Sequence, residues 1–296
     1  MVVKAFLSVF GIVVLALLAG SYAGRWFPFG DSLAVVRPML SAGLFALAML
    51  LIIWRGIGFA AFFSVVALIS GGQVAVGFYG DQPDVNGDYT LYQKNLLLRA
   101  WPRYSLADDI LASGADFVTL QEVSDHNKRF MIKMFTGYEH KAFCPDVKNG
   151  EVAILSRFAF VDGSVTCADD IGLIAAKVAL ADKRQVWIVS LHLRWPFPYD
   201  QFQQVTRFES FLADLDAPVI LGGDFNMVPW GASVARIADA AGVKRVGPYR
   251  DTFPRLGFIS PLPIDQVMLP PSARAHVETR PPIGSDHRGV LVRFDL

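Results

Sequence analysis

Residues 217–226 read Ala-Pro-Val-Ile-Leu-Gly-Gly-Asp-Phe-Asn. The apolar run Pro218–Leu221 has the pattern of a buried strand and closes on two glycines. Beyond them stand a carboxylate, Asp224, and a carboxamide, Asn226, two positions apart. Side chains alternate along a strand, so the spacing predicts that both face one cleft. A carboxylate can orient or deprotonate a water, and a carboxamide can donate to a developing oxyanion without adding charge. The glycines would let backbone or substrate approach closely. Asp, Asn and Gly are also ordinary turn residues, so the segment alone is equally a turn after a core strand.

Other segments repeat the arrangement. The strand pattern Tyr89–Lys94 ends in Asn95, Phe117–Leu120 ends in Gln121-Glu122, and Val186–Ser190 ends in Leu191-His192-Leu193. Asp265 lies between Leu262-Pro263-Ile264 and Val267-Met268-Leu269, and Gly284-Ser285-Asp286-His287 precedes the apolar run Gly289–Phe294. One polar residue at a strand end is usually structural; the whole ordered set points to metal or phosphoryl chemistry. Helical patterns at Ser105–Ser113, Phe202–Leu215 and Gly231–Ala241 alternate with the strands, which predicts an α/β architecture.

The ordered set resembles the endonuclease/exonuclease/phosphatase family, metal-dependent phosphohydrolases related to DNase I, over about residues 88–296. The resemblance implies a four-layer α/β sandwich, two packed mixed β-sheets flanked by helices. It implies Mg²⁺ or Mn²⁺ on Glu122, with Asn95 and Asp286 in the same metal site. Asp224 would activate the attacking water and Asn226 would contact phosphoryl oxygens. His287 would bind or protonate the phosphate with Asp265 behind its ring, and His192 would serve the leaving-group side. Two neighbours depart from the family pattern: Lys94 before Asn95, and Gln266 after Asp265. Some nucleases of the family pair the histidine at the His192 position with a Glu from the strand that here holds Ala153-Ile154-Leu155-Ser156-Arg157. Glu151 is the candidate here, and it is equally a solvated strand-start residue.

Residues 1–80 differ in composition. Their only charges are Lys4, Arg25, Asp31, Arg37 and Arg55. Ala5–Ala23 and Ile57–Phe78 are uncharged, and Met39–Trp54 extends back to Leu33 if Arg37 snorkels. Three transmembrane helices are expected, at about 5–23, 33–54 and 57–78. Tight turns are expected at Arg25–Asp31 and Arg55–Gly56. An acidic linker carrying Asp81 and Asp84 follows over 81–87, then the catalytic domain at 88–296. Lys4, the first apolar run and Ser21-Tyr22-Ala23 also fit a cleavable leader. Three spans put the N-terminus and the catalytic domain on opposite sides. Lys4 with Arg55 balances Arg25 with Arg37, and the free amine tips the count towards an inside N-terminus. The expectation is a multi-pass protein of the inner (plasma) membrane with a periplasmic catalytic domain. Cys144 and Cys167 fit one disulfide in an oxidising compartment, or two unrelated thiols.

The chain holds 27 Lys+Arg and 27 Asp+Glu. Four of those bases and one acid fall in the first 80 residues, so the remainder is slightly acidic. No basic run exceeds two residues, which speaks mildly against a nucleic-acid partner. After His192 comes Arg194-Trp195-Pro196-Phe197-Pro198-Tyr199. This is either a stiff loop packed on the body or an aromatic rim for lipid. The architecture is similar to that of bacterial membrane-anchored members of the family associated with teicoplanin resistance, which act on undecaprenyl pyrophosphate. That likeness implies a bilayer partner and a lipid-linked phosphate or pyrophosphate substrate. The alternative is a membrane-tethered nuclease or other phosphodiesterase. A silent binding protein would have no need of both His192 and His287.

Overall fold

Among the described residues, runs of β-branched and aliphatic residues buried on both faces build two sheets, each of six strands. In the computed structural model, residues 2–80, 82–99, 104–147, 149–168, 171–254 and 261–296 are described. Asp81 of the expected linker lies outside them. The first sheet holds β1 (Tyr89–Asn95), β2 (Phe117–Val123), β3 (His140–Asp146), β4 (Gly150–Ser156), β11 (Arg274–Arg280) and β12 (Gly289–Asp295), in the order β11-β12-β1-β2-β4-β3. The second holds β5 (Thr166–Cys167), β6 (Leu173–Ala179), β7 (Gln185–His192), β8 (Val219–Asp224), β9 (Lys244–Arg245) and β10 (Asp265–Leu269), in the order β5-β6-β7-β8-β10-β9. The pairs β1–β2 and β7–β8 are parallel and their neighbours antiparallel, so both sheets are mixed.

The sheets face each other across Leu91, Phe117, Ile154, Ile188, Ile220 and Val292, all fully buried. Each such side chain contributes about 1.5–3 kcal/mol. Helices α5 (Tyr104–Ala112), α6 (Asp125–Phe130) and α7 (Ile132–Gly137) cover the outside of the first sheet through Leu106, Ile110 and Met134. Helices α8 (Gln201–Ala213) and α9 (Ala232–Ala241) cover the second through Phe208, Leu212 and Ile237. The expected α/β sandwich and its three helical segments are therefore present. The Cys144–Cys167 disulfide ties β3 of one sheet to β5 of the other, with Cα atoms 5.7 Å apart.

The N-terminal region forms α1 (Val2–Gly20), α2 (Pro28–Val35), α3 (Arg37–Ile53) and α4 (Ile57–Val76). Helices α1 and α4 are long and apolar enough to cross a membrane. Their outward faces expose Phe6, Val9, Phe10, Phe62, Leu68 and Ile69, as a lipid-facing surface would. The expected single helix over 33–54 is corrected: α2 and α3 meet at a 66° bend. The cause is Pro38. It has no N–H for the Ala34 carbonyl one turn back, and its ring crowds that carbonyl. The Val36 N–H and Trp230 Nε1 (2.7 Å) take up Ala34 O instead. Residues 28–31, expected as a turn, are the first turn of α2; the turn at Arg55–Gly56 is where it was expected. Arg37 does not snorkel. It is buried, donates from Nε to Ser21 Oγ at 2.9 Å, and lies 3.9 Å from the centre of the Tyr22 ring.

The helices dock on the second sheet's side of the sandwich. The buried Asp31 carboxylate accepts from Ala232 N (2.6 Å) and Ser233 N (2.9 Å), and from Ser233 Oγ. It thereby caps α9, whose own N-cap residue, Gly231, has no side chain to do so. Tyr249 N donates to Gly77 O at 2.6 Å, and Phe78, Trp230 and Tyr249 pack ring against ring.

Candidate active site

The ends of β2, β7 and β8 open on one cleft of about 540 Å³, and Asn95 at the end of β1 and Asp265 at the start of β10 brace its lining from behind. Asp224 is the last residue of β8 and sits opposite Asp265 on β10. Asn226 reaches the same cleft by a different route from the one expected. The strand has already ended, and Asn226 turns back in a left-handed conformation (φ +45°), its N–H donating to Asp224 Oδ1 at 2.8 Å. Asn tolerates that backbone region better than most residues, which is why a carboxamide stands there. The glycines serve the sandwich rather than a substrate. A Cβ on Gly222 would lie 2.3 Å from Thr119 Oγ1 of the facing sheet, and one on Gly223 2.5 Å from Leu191 O.

Glu122 is aimed by a bulge. The β2–β4 register shifts between Leu120 and Val123, and Glu122 adopts φ +54°. Its Oε2 accepts from Leu98 N at 2.7 Å, and Asn127 Nδ2 holds its carbonyl at 2.9 Å. Asn95 braces two carboxylates, donating from Nδ2 to Glu122 Oε1 (3.1 Å) and Asp224 Oδ2 (2.9 Å), while its Oδ1 accepts from Leu97 N. Lys94 alternates to the other face, as expected, and donates to Pro282 O (2.8 Å) and His287 O (2.6 Å), which fixes the loop carrying Asp286 and His287.

Two histidines flank Asp224. His287 Nδ1 bonds Asp265 Oδ2 at 2.8 Å, as expected, and its Nε2 lies 3.7 Å from Asp224 Oδ2. His192 Nε2 lies 3.6 Å from the same oxygen. Its Nδ1 bonds Asp146 Oδ2 at 2.7 Å, so Asp146 holds this ring and Glu151 does not. Glu151 sits a hairpin away and is salt-bridged to Lys128. Asp146 ends β3 beside a turn, where Asp is common, and nothing in the sequence marks it as a partner. A buried amide layer, also unremarked in the sequence, underlies the site. Gln93 donates to Gln121 (2.7 Å) and Asp265 (3.1 Å), and Gln121 donates to Ser190 (3.0 Å).

Burial opposes charge on His192, but the bond to Asp146 and the carboxylates of Asp224 and Glu122 outweigh it and push the ring up to about 9. At His287 burial again opposes charge, and Asp265 and Asp224 overcome it, to about 9. Burial raises Asp224 to about 6, with Asp265 adding to the rise and both histidines limiting it. Two imidazolium rings thus bracket a carboxylate poised to take a proton, an arrangement suited to an anionic, phosphate-like group.

Glu122 and Asp286 both line the cleft, and carboxylate oxygens are the ligands a hard divalent cation takes. Asn95, expected in the same metal site, instead turns its Nδ2 to the carboxylates and its oxygen to Leu97 N. Asp224, Asp265 and His287 also bring ligand atoms within 4.8 Å of one another. There His287 Nδ1 is already committed to Asp265 at 2.8 Å.

The fold is shared with solved structures at about the level of topology. A humanised D. rerio TDP2 aligns at 20% identity over 70% of this chain and 99% of its own, with a TM-score of 0.58. An endonuclease/exonuclease/phosphatase protein of Beutenbergia cavernae aligns at 20% identity over 71% and 72%, with a TM-score of 0.56. Sphingomyelinase C of Streptomyces griseocarneus aligns at 17% identity over 69% and 98%, with a TM-score of 0.53. No curated protein matches the chain in sequence. Residues 85–287 match the model of the Endonuclease/Exonuclease/phosphatase family, a family of phosphoester hydrolases that generally depend on divalent metals, and the chain belongs to that family.

Proposed function

We propose that the chain is a membrane-anchored, Mg²⁺- or Mn²⁺-dependent phosphohydrolase that acts on a lipid-linked phosphate or pyrophosphate outside the cytoplasm. One contact carries the reading. Ser32 Oγ of α2 donates to Phe197 O at 2.7 Å, so the loop that supplies Trp195 and Tyr199 to the catalytic cleft is pinned to the apolar helices. A substrate drawn from the bilayer would meet the cleft at that edge, and tethering raises its effective concentration there.

The chemistry follows from the site. Glu122 and Asp286 would hold the metal, which when bound would supply positive charge to offset that on the phosphoryl oxygens. Asp224, held by Asn95 and the Asn226 N–H, orients a water and accepts its proton. His287, charged against Asp265, binds a phosphoryl oxygen, and Asn226 offers a second donor. His192, charged against Asp146, faces the leaving-group oxygen.

Three crossings, by α1, α3 and α4, are consistent with α2 lying along the interface, where Trp26, Phe27 and Phe29 are exposed. The Cys144–Cys167 bond favours an oxidising compartment for the catalytic domain. A sphingomyelinase among the structural neighbours is an enzyme named for a lipid.

Full-length protein with Mg²⁺ is expected to release phosphate from a polyprenyl pyrophosphate, and Glu122→Ala or Asp224→Ala to abolish release. Plasmid nicking with no release from lipid would overturn the proposal in favour of a tethered nuclease. A C-terminal reporter fusion reading cytoplasmic would overturn the orientation.

A further inference from the structure

A second concavity, of about 600 Å³, lies between the C-terminal half of α1 and the length of α2. Its walls are Ile12, Leu17 and Gly20 on α1, Phe29 and Leu33 on α2, and Phe197 at one end. Gly20 keeps the two helices close: a Cβ there would lie 2.9 Å from Leu33 Cδ1. The one polar side chain in the lining, Ser32, donates its hydroxyl to the Phe197 carbonyl at 2.7 Å. The walls are thus apolar throughout, unlike the catalytic cleft.

The two concavities share a loop. Phe197 closes the groove, while Trp195 and Tyr199, two positions to either side, line the catalytic cleft. From Trp195 the apolar path continues inward. Trp195 packs edge-on against Phe253 at 6.0 Å between ring centres, and Phe253 lies 4.9 Å from the His287 ring. The path therefore runs from hydrocarbon-facing helices, over a rim of aromatics, to the phosphate-handling histidine.

We propose that the α1–α2 groove is a chain-binding subsite, which holds the hydrocarbon chain of the substrate while its phosphate sits in the cleft. The inference rests on the lipid-phosphate reading above. The continuity with the cleft selects this occupant. A molecule apolar at one end and anionic at the other matches both chambers, and the residues from Ile12 to Gly20 offer about 12 Å of helix for the chain to lie along.

The test uses full-length protein in detergent micelles with Mg²⁺, comparing geranylgeranyl pyrophosphate with dimethylallyl pyrophosphate. Wild type is expected to prefer the long chain. Leu17→Trp and Leu33→Trp, which fill the groove from opposite walls, should each cut the long-to-short ratio of kcat/KM by about 10-fold. A geranylgeranyl pyrophosphate bearing a diazirine at the chain end should photolabel the peptides around residues 12–20 or 28–35. An unchanged ratio in both variants, with wild-type turnover intact, overturns the groove and leaves the lipid-phosphate reading standing. Absence of wild-type turnover on either pyrophosphate overturns both. Disulfide capture of two chains through Leu17→Cys, with no photolabel at the groove, would overturn it in favour of a second copy as the occupant.

Discussion

Asp31 and Ser233 stand 202 positions apart and are joined through both backbone and side chain of the serine. The N-terminal helical region thereby supplies the cap of α9. The same serine hydroxyl lies 3.1 Å from Gln201 Oε1, and Gln201 Nε2 donates to Phe225 O (3.1 Å), the residue between Asp224 and Asn226. A line of polar contacts therefore runs from α2 to the strand end that carries Asp224.

Asp31→Ala should lower the stability of the solubilised protein by roughly 1–2 kcal/mol, the usual loss for a helix cap in a buried setting. A thermal melt in detergent reads it. A melting temperature equal to wild type would show that α9 stands without this cap.

Asp146→Asn should reduce kcat roughly 100-fold, because His192 loses the partner that orients and charges it. Glu151→Gln, which breaks only the half-buried pair with Lys128, should change stability by no more than about 0.5 kcal/mol and leave turnover near wild type. Side-by-side kinetics settle the assignment; the reverse ranking would return the role to Glu151.

With metal removed by EDTA, stability should fall as pH rises. His287 and His192 are held at about 9, above the ordinary value near 6.5. The folded state therefore binds more protons than the unfolded chain between those values. The stabilisation is fully present below about pH 6.5 and lost as pH passes about 9, on the order of 3 kcal/mol for either ring alone. Thermal melts across that window read it, and His287→Gln should flatten the slope. A metal-free protein that gains stability over the same window would contradict these charge states.

Reduction should loosen the two sheets at one edge. The disulfide closes a separation of 23 residues, for which chain entropy gives roughly 3 kcal/mol. Dithiothreitol, or the pair Cys144→Ala and Cys167→Ala, should lower the melting temperature. Activity should fall too, since Cys144 lies two residues before Asp146 on β3. Unchanged turnover after reduction would separate the bond from the site.

Much of the site is readable in the sequence because its residues lie at the ends of apolar strands, and strand ends in an α/β fold gather at one edge. Glu122, His192, Asp224, Asp265, Asp286 and His287 all belong to that class. Asp146 does not announce itself: an Asp at a hairpin end is what turn chemistry alone would place there. The inward turn of Asn226 depends on a left-handed backbone that alternation along a strand does not anticipate. The break between α2 and α3 was legible in Pro38, but hydropathy sums over 33–54 hide it. Arg37 reads as a snorkelling charge until Ser21 and Tyr22, well before it in the chain, fold back to receive it.

The family match begins at residue 85, yet folding does not divide there. The rings of Trp230 and Tyr249 are covered by Phe78, and the Tyr249 N–H is satisfied by Gly77. A soluble fragment cut at the start of the match would bare two aromatic faces and orphan a backbone donor beside them. A fragment that keeps these contacts is longer than the matched module, because the N-terminal apolar helices are also part of its wall.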